Sequence, residues 1–217
     1  MATIVLPASL LVGCATMKPM GFSEPIAGLP QSRDAVAFFS VRTANQNKTG
    51  YQPNVSHVFV WEDGKDKREK YSFKVEDPYR QGKDEFNEYL ISLRLPAGRY
   101  MLRELFGTAG VFPIRGTFGA PVYMPFELSP GSIVYLGRID ATIRARRSDD
   151  ELRAGPLVPL IDQAVSGLSG GTFEIRISDN YEGDVQAFGE QYPALAGLTM
   201  ERAVLPAWSR PTEERMK

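Results

Sequence analysis

The chain reads as one mainly β domain, an antiparallel sandwich of about seven or eight strands with two short helices near its C-terminus. Three observations carry that expectation. Apolar and polar residues alternate with a period of two through several segments, as in strands with one face buried and the other wet. Turn residues fall between those segments, drawn from 20 glycines and 16 prolines. Apolar residues at helical spacing are confined to two stretches late in the chain.

The strands follow in order. AVAFFSV (35–41) and HVFVW (57–61) are evenly apolar, which fits strands covered on both sides. In KYSFKVE, Tyr71, Phe73 and Val75 alternate with Lys70, Ser72, Lys74 and Glu76. YLISLRLPAGRYMLREL (89–105) predicts a hairpin: Pro96 presets φ for a turn and Gly98 accepts a positive φ. SIVYLGRIDATIRAR places Ile133, Tyr135, Ile139, Ala141 and Ile143 on one face, with Arg138, Asp140, Thr142 and Arg144 on the other. In TFEIRIS, Phe173, Ile175 and Ile177 alternate with Glu174 and Arg176. Asp63-Gly64 and Ser129-Pro130-Gly131 mark turns between runs.

The two helices come next. Leu157, Leu160, Ile161, Ala164, Val165 and Leu168 recur at helical spacing until Ser169-Gly170-Gly171 stops them, which predicts an amphipathic helix buried on the sheet. In the second, Asp179 and Glu182 have the spacing of a capping box. Tyr181, Val185 and Phe188 then share a face, and Pro193 closes the segment.

The N-terminus has a different character. Residues 1–13, MATIVLPASLLVG, are apolar and uncharged, shorter than the roughly 20 residues of a spanning helix. Cys14, the single cysteine, follows them. Leu11-Val12-Gly13-Cys14 resembles the lipobox of bacterial lipoproteins, although no Lys or Arg precedes the apolar run. That resemblance implies a signal peptide over 1–13, recognised through Leu11, Val12 and Gly13, and acylation of Cys14. It also implies an anchor in the outer membrane, since Ala15 replaces the aspartate that resembles an inner-membrane retention signal, with the domain facing the periplasm. Residues 14–32 hold three prolines and two glycines without a period and are expected to form a lipidated tether. The sandwich domain is expected over 33–206, with a frayed polar tail over 207–217.

LPAGRYMLREL resembles a turn-and-strand element of transthyretin-like and other Ig-like envelope domains, in which the tyrosine is buried. FELSPGSIVYLGRI is similar to a strand pair in small bacterial lipoproteins of unknown function. These resemblances imply a fold and an envelope location, and bring no active site with them.

The residues themselves offer little chemistry. Lys plus Arg (25) nearly cancel Asp plus Glu (26), so no overall field recruits nucleic acid. One cysteine and one histidine leave little for a transition-metal site. His57 lies in an apolar strand and reads as a structural group, and no G-x-S-x-G elbow is present. Asp84, Glu85 and Glu88, and again Asp149, Asp150 and Glu151, read as solvated loops, as do the basic residues Arg144, Arg146 and Arg147. Asp179, Asn180 and Asp184 lack EF-hand spacing, and Gly167–Gly171 lacks the Lys-Ser/Thr of a phosphate loop.

The expected function is therefore a membrane-anchored, non-catalytic interaction module without cofactor or metal. Its expected partner is another envelope protein or a cell-wall component. The alternative is a small-molecule or glycan binder with Trp61, Tyr79, Tyr123 and Trp208 at its site. A hydrolase working through carboxylates alone has least support.

Overall fold

The computed structural model describes residues 16–20, 33–63, 70–83, 85–111, 114–156, 166–195, 197 and 199–212. It is mainly β, as the alternation predicts. The strands are β1 (Thr16–Lys18), β2 (Asp34–Asn45), β3 (Pro53–Glu62), β4 (Lys70–Lys74), β5 (Arg80–Gly82), β6 (Phe86–Pro96), β7 (Gly98–Val111), β8 (Ile114–Leu128), β9 (Ile133–Ala145), β10 (Gly171–Ser178) and β11 (Glu201–Arg202). Sheet A has the order β1-β4-β3-β7-β8. Sheet B runs β10-β9-β2-β6-β5, with β11 also on β9. Phe39, Ile91 and Leu136 of sheet B meet Val58, Leu102 and Phe118 of sheet A in the main core. Each such buried side chain contributes roughly 1.5–3 kcal/mol.

The sheets are mixed, where the sequence predicts antiparallel ones. β2 pairs in parallel with β9, β11 with β9, and β1 with β4. The expected LPAG hairpin is instead a corner between sheets. β6 already has β2 and β5 on its two sides, so β7 crosses into sheet A and pairs with β3 and β8. The corner is locked by the buried Tyr100, whose hydroxyl donates to the Pro96 carbonyl at 2.7 Å. Pro96 stands at the corner, but Gly98 begins β7 without the positive φ expected of it.

β9 corrects another expectation. Val134 and Leu136, not Ile133 and Tyr135, join Ile139, Ala141 and Ile143 in the main core. Gly137 adopts φ 103°, and the β2–β9 register shifts between Phe38 and Ser40. This bulge moves the alternation by one residue, so Ile133 and Tyr135 face the opposite side of sheet B. There they meet α1 (Tyr181–Gln191) in a second core with Val36, Phe38, Leu90 and Phe188. That layer explains why β2 is apolar on both faces.

Helix α1 starts where predicted. Asp179 accepts the Tyr181 amide at 3.0 Å, while Glu182 pairs with Arg202 instead of closing a capping box. The earlier helix expected over 157–168 falls largely on 157–165, outside the described residues. Only Ser166–Gly171 is seen, as turns leading into β10, with Leu168 buried. One α-helix is therefore described, followed by a single 3-10 turn at Pro193–Leu195.

Both ends of the domain extend further than expected. Thr16–Lys18, read as tether, forms the edge strand β1, and Met20 is buried in the main core. The first residues of the expected frayed tail are held too: Trp208 donates to the Pro121 carbonyl at 3.1 Å, and Arg210 to the Thr172 hydroxyl at 2.7 Å.

Candidate functional site

The outer face of sheet A is the counterpart of the helix-covered face of sheet B. The alternation of β3 turns Val58 and Val60 inward and His57, Phe59 and Trp61 outward, where they are half-buried. Register places Lys74, Ser72 and Lys70 of β4 beside these three on one side. Phe106 and Glu104 of β7 flank His57 and Phe59 on the other. His57, Phe59 and Phe106 form a ring cluster with centroids 6.0–6.5 Å apart. HVFVW thus differs from its expectation: its outer side is packed by its own neighbours and by no second layer among the described residues.

A bulge shapes the other end of this face. The β7–β8 register shifts between Leu102 and Glu104, and the facing Tyr123 takes φ 50°, which is unfavourable for a bulky side chain. Arg103, at the shift, lies over Trp61 at 3.6 Å from the ring centroid and 5.5 Å from that of Tyr123. Lys70, from the strand on the other side, approaches Trp61 at 5.2 Å. Such stacking is worth roughly 0.5–2 kcal/mol per cation and leaves the donors of the cation unused. Arg103 Nε is buried with no hydrogen-bond partner among the described residues.

Glu104 is the acid closest to these cations in the register. Its burial raises the carboxyl pKa, and the Arg103 guanidinium offsets this only in part. The carboxylate lies directly on Gly119, where any β-carbon would collide with it. The face therefore combines aromatic and apolar surface with an excess of cations. It provides donors for an oxyanion, and His57 Nδ1 lies 3.0 Å from the Ser56 hydroxyl, which also donates to the Phe106 carbonyl at 3.3 Å.

No family model, curated protein or solved structure matches this chain.

Sheet B carries two further polar arrangements. Under α1, the buried Asp184 accepts from Ser40 and Tyr135 at 2.6 Å each and from the Asn180 side chain at 2.8 Å. Burial, followed by the Asp184 hydrogen bond, raises the Tyr135 phenol far above its usual range. Beyond the helix, one row of charges alternates across five strands: Arg176, Asp140, Arg42, Glu88 and Arg80 are successive cross-strand neighbours. Burial alone would raise the Glu88 carboxyl, but hydrogen bonds from Arg138 and Arg80 hold it below its ordinary value. Next to this row is an open cleft of ≈ 700 Å³, bounded by Arg42, Asp140 and Arg176 and by Arg144 and Glu174, with Thr142 between them.

The structure sorts the residues singled out in the sequence. Trp61 and Tyr123 come together around Arg103. Tyr79 is elsewhere, donating to Glu88 at 3.1 Å with its pKa pushed up to about 12 by burial and then by the Glu88 charge. Trp208 sits at the sandwich edge. Glu88, expected in a solvated loop, is buried. Glu151 is held by two Arg144 donors and the Arg147 amide, which bring its carboxyl down to about 2. Arg146 donates to the Glu151 and Asp149 carbonyls, and Asp149 and Asp150 are exposed. Glu85 lines the cleft. Asp84, Cys14 and the segment Leu11–Gly13 lie outside the described residues. Among the described residues no three metal-ligating side chains gather, and no helix is long and apolar enough to cross a membrane.

Sequence reasoning passed over Arg103 and Glu104, and weighed Asp184 only as an oxygen ligand for calcium. One signal for the first two was present. Adjacent charges inside MLREL break the alternation of β7, as a bulge does.

Proposed function

We propose that the protein is an envelope lipoprotein, acylated at Cys14, whose sandwich acts as a non-catalytic binding module through the outer face of sheet A. The observation that carries this reading is Arg103, stacked on Trp61 with a buried Nε that no described residue satisfies. Leaving such a donor unpaired costs roughly 1–3 kcal/mol, a cost that is removed when the Arg103 side chain turns its Nε to a bound acceptor. The anchor fits the same face, because β1 begins at Thr16, the second residue after Cys14. We read the domain as Ig-like or transthyretin-like. The Tyr100 corner supports this, and the parallel pairs are its own variation.

A second reading is favoured by the cleft on sheet B, whose charged and hydroxyl lining suits a small polar ligand such as a glycan. Carboxylate-only hydrolysis has the weakest support. Its raised carboxyl, Glu104, is on the opposite side of the sandwich from the cleft acids.

The test is expression of the full gene in a bacterium as wild type and Cys14→Ser. The expected result is a wild-type N-terminal peptide that begins at Cys14 and carries acyl mass, with membrane partition lost in the variant. An unprocessed Met1 terminus on a soluble wild-type protein overturns the lipoprotein reading.

A further inference from the structure

We infer that the outer face of sheet A lies against the bilayer and takes the phosphate groups of anionic phospholipids, with Arg103 and Lys70 as donors and Met17, Phe59 and Phe106 as apolar contacts. The inference rests on the envelope reading above and adds an orientation and a lipid class.

Four observations converge on this face. The first is position. Two residues of chain span at most about 7 Å, so an acylated Cys14 holds the β1 edge of sheet A beside the membrane. The second is exposure. Met17 is 69 % exposed, which is unusual for a large apolar side chain. Its register partner is Ser72, itself opposite Phe59, so Met17 extends the aromatic row out to the sheet edge. The third is charge. The chain carries a formal net charge of −1, yet Lys70, Lys74 and Arg103 gather on this face, with Arg99 and Arg115 further along it. Against them stand Glu104, whose burial favours its neutral form, and Glu127, the register partner of Arg99. Basic groups beside apolar surface are what an anionic interface attracts.

The fourth is the chemistry of the donors. Trp61 stands between Lys70 and Arg103, and tryptophan is at home at the depth of the headgroups. Both cations rest on its ring, and neither forms an ion pair among the described residues, so N–H groups remain for phosphate oxygens. The other side of the sandwich is different. Its cations alternate with acids across sheet B, and α1 covers the rest.

The test uses the full chain carrying Cys14→Ser, so that no acyl group contributes. Partition is measured by flotation with phosphatidylcholine vesicles and with vesicles containing phosphatidylglycerol, and the ratio between the two is the readout. That ratio cancels any general affinity of residues 1–13 for lipid. Each cation near an anionic surface changes partition about fivefold. Lys70→Gln with Arg103→Gln is therefore expected to lower the ratio by about twenty-five-fold. Arg42→Gln, which removes the same kind of charge from sheet B, leaves it unchanged. Should Arg103→Gln impair folding, Lys70→Gln with Lys74→Gln alters only exposed lysines and is expected to lower the ratio comparably.

A ratio near one for the parent chain overturns the inference, as does an equal loss with Arg42→Gln. A concentration-dependent dimer that Phe59→Asp dissolves would also overturn it, by assigning the face to a second copy. The envelope reading fails separately, through an unprocessed N-terminus in the expression experiment, whatever the ratio.

Discussion

Two glutamates on opposite sides of the sandwich titrate in opposite senses. Glu88 is depressed because Arg138 and Arg80 outweigh its burial. Its contribution to stability is full above the ordinary glutamate pKa of about 4.3 and is lost as pH falls through the folded value. Glu104 is raised by burial, so its contribution is full below about 4.3 and is lost as pH rises through the folded value. Glu88→Gln is expected to destabilise by about 3 kcal/mol at neutral pH, since it removes the buried charge that Arg138 and Arg80 hold and leaves Arg138 with Asp140 alone. Glu104→Gln is expected to stabilise at neutral pH. Urea denaturation at pH 7 and pH 4 checks both, and each difference from wild type shrinks in acid. Neither behaviour was legible in the sequence. Glu88 sits in a strand register that places Arg42 beside it and Arg80 on its other side, and that register depends on pairings remote along the chain.

Strands that look alike in sequence end in different surroundings. AVAFFSV and HVFVW are equally apolar, but α1 covers the first while the second stacks its own rings on an open face. The alternation told which residues point together in most strands, β9 excepted, and it located β2, β3, β4, β6, β7, β9 and β10, while β1, β5, β11 and most of β8 escaped it. It could not tell what lies above them, because α1 comes from residues more than a hundred positions away. Phe188→Ala is expected to cost roughly 3 kcal/mol by emptying the second core, with hydrogen exchange accelerated first in α1. SIVYLGRIDATIRAR shows a subtler limit. Gly137 was visible, but its role as a bulge depends on β2 and β10 beside it. A β-carbon there meets the Ser178 carbonyl and Val204 at 3.0 Å, in a backbone conformation that side chains avoid. Gly137→Val is expected to lose roughly 2 kcal/mol, measured as a lower urea midpoint with an unchanged slope.

The two broad faces of the molecule differ in kind. Sheet B hides half of its outer surface under a helix and balances the other half with alternating charges. Sheet A leaves aromatic rings and cations open beside the chain's N-terminal edge. The candidate site was half legible, since Trp61 and Tyr123 were named among four aromatics. Arg103, which joins them, required the bulge to be known. The row from Arg176 to Arg80 is also a register device: sliding one strand by a residue would turn its charges into the core. The parallel pairs of sheet B reach into the order of events during synthesis. Its central strand, β2, needs β9 from a hundred residues later, and β9 needs β11 from later still. Leu205 then donates its amide to the Leu136 carbonyl at 2.9 Å and enters the core. Contacts this distant make folding slow, so the growing chain cannot close its sandwich until the segment around Leu205 has emerged. A polypeptide that must pass a membrane unfolded gains time from this arrangement, and the export proposed for this protein would have that delay built into its topology.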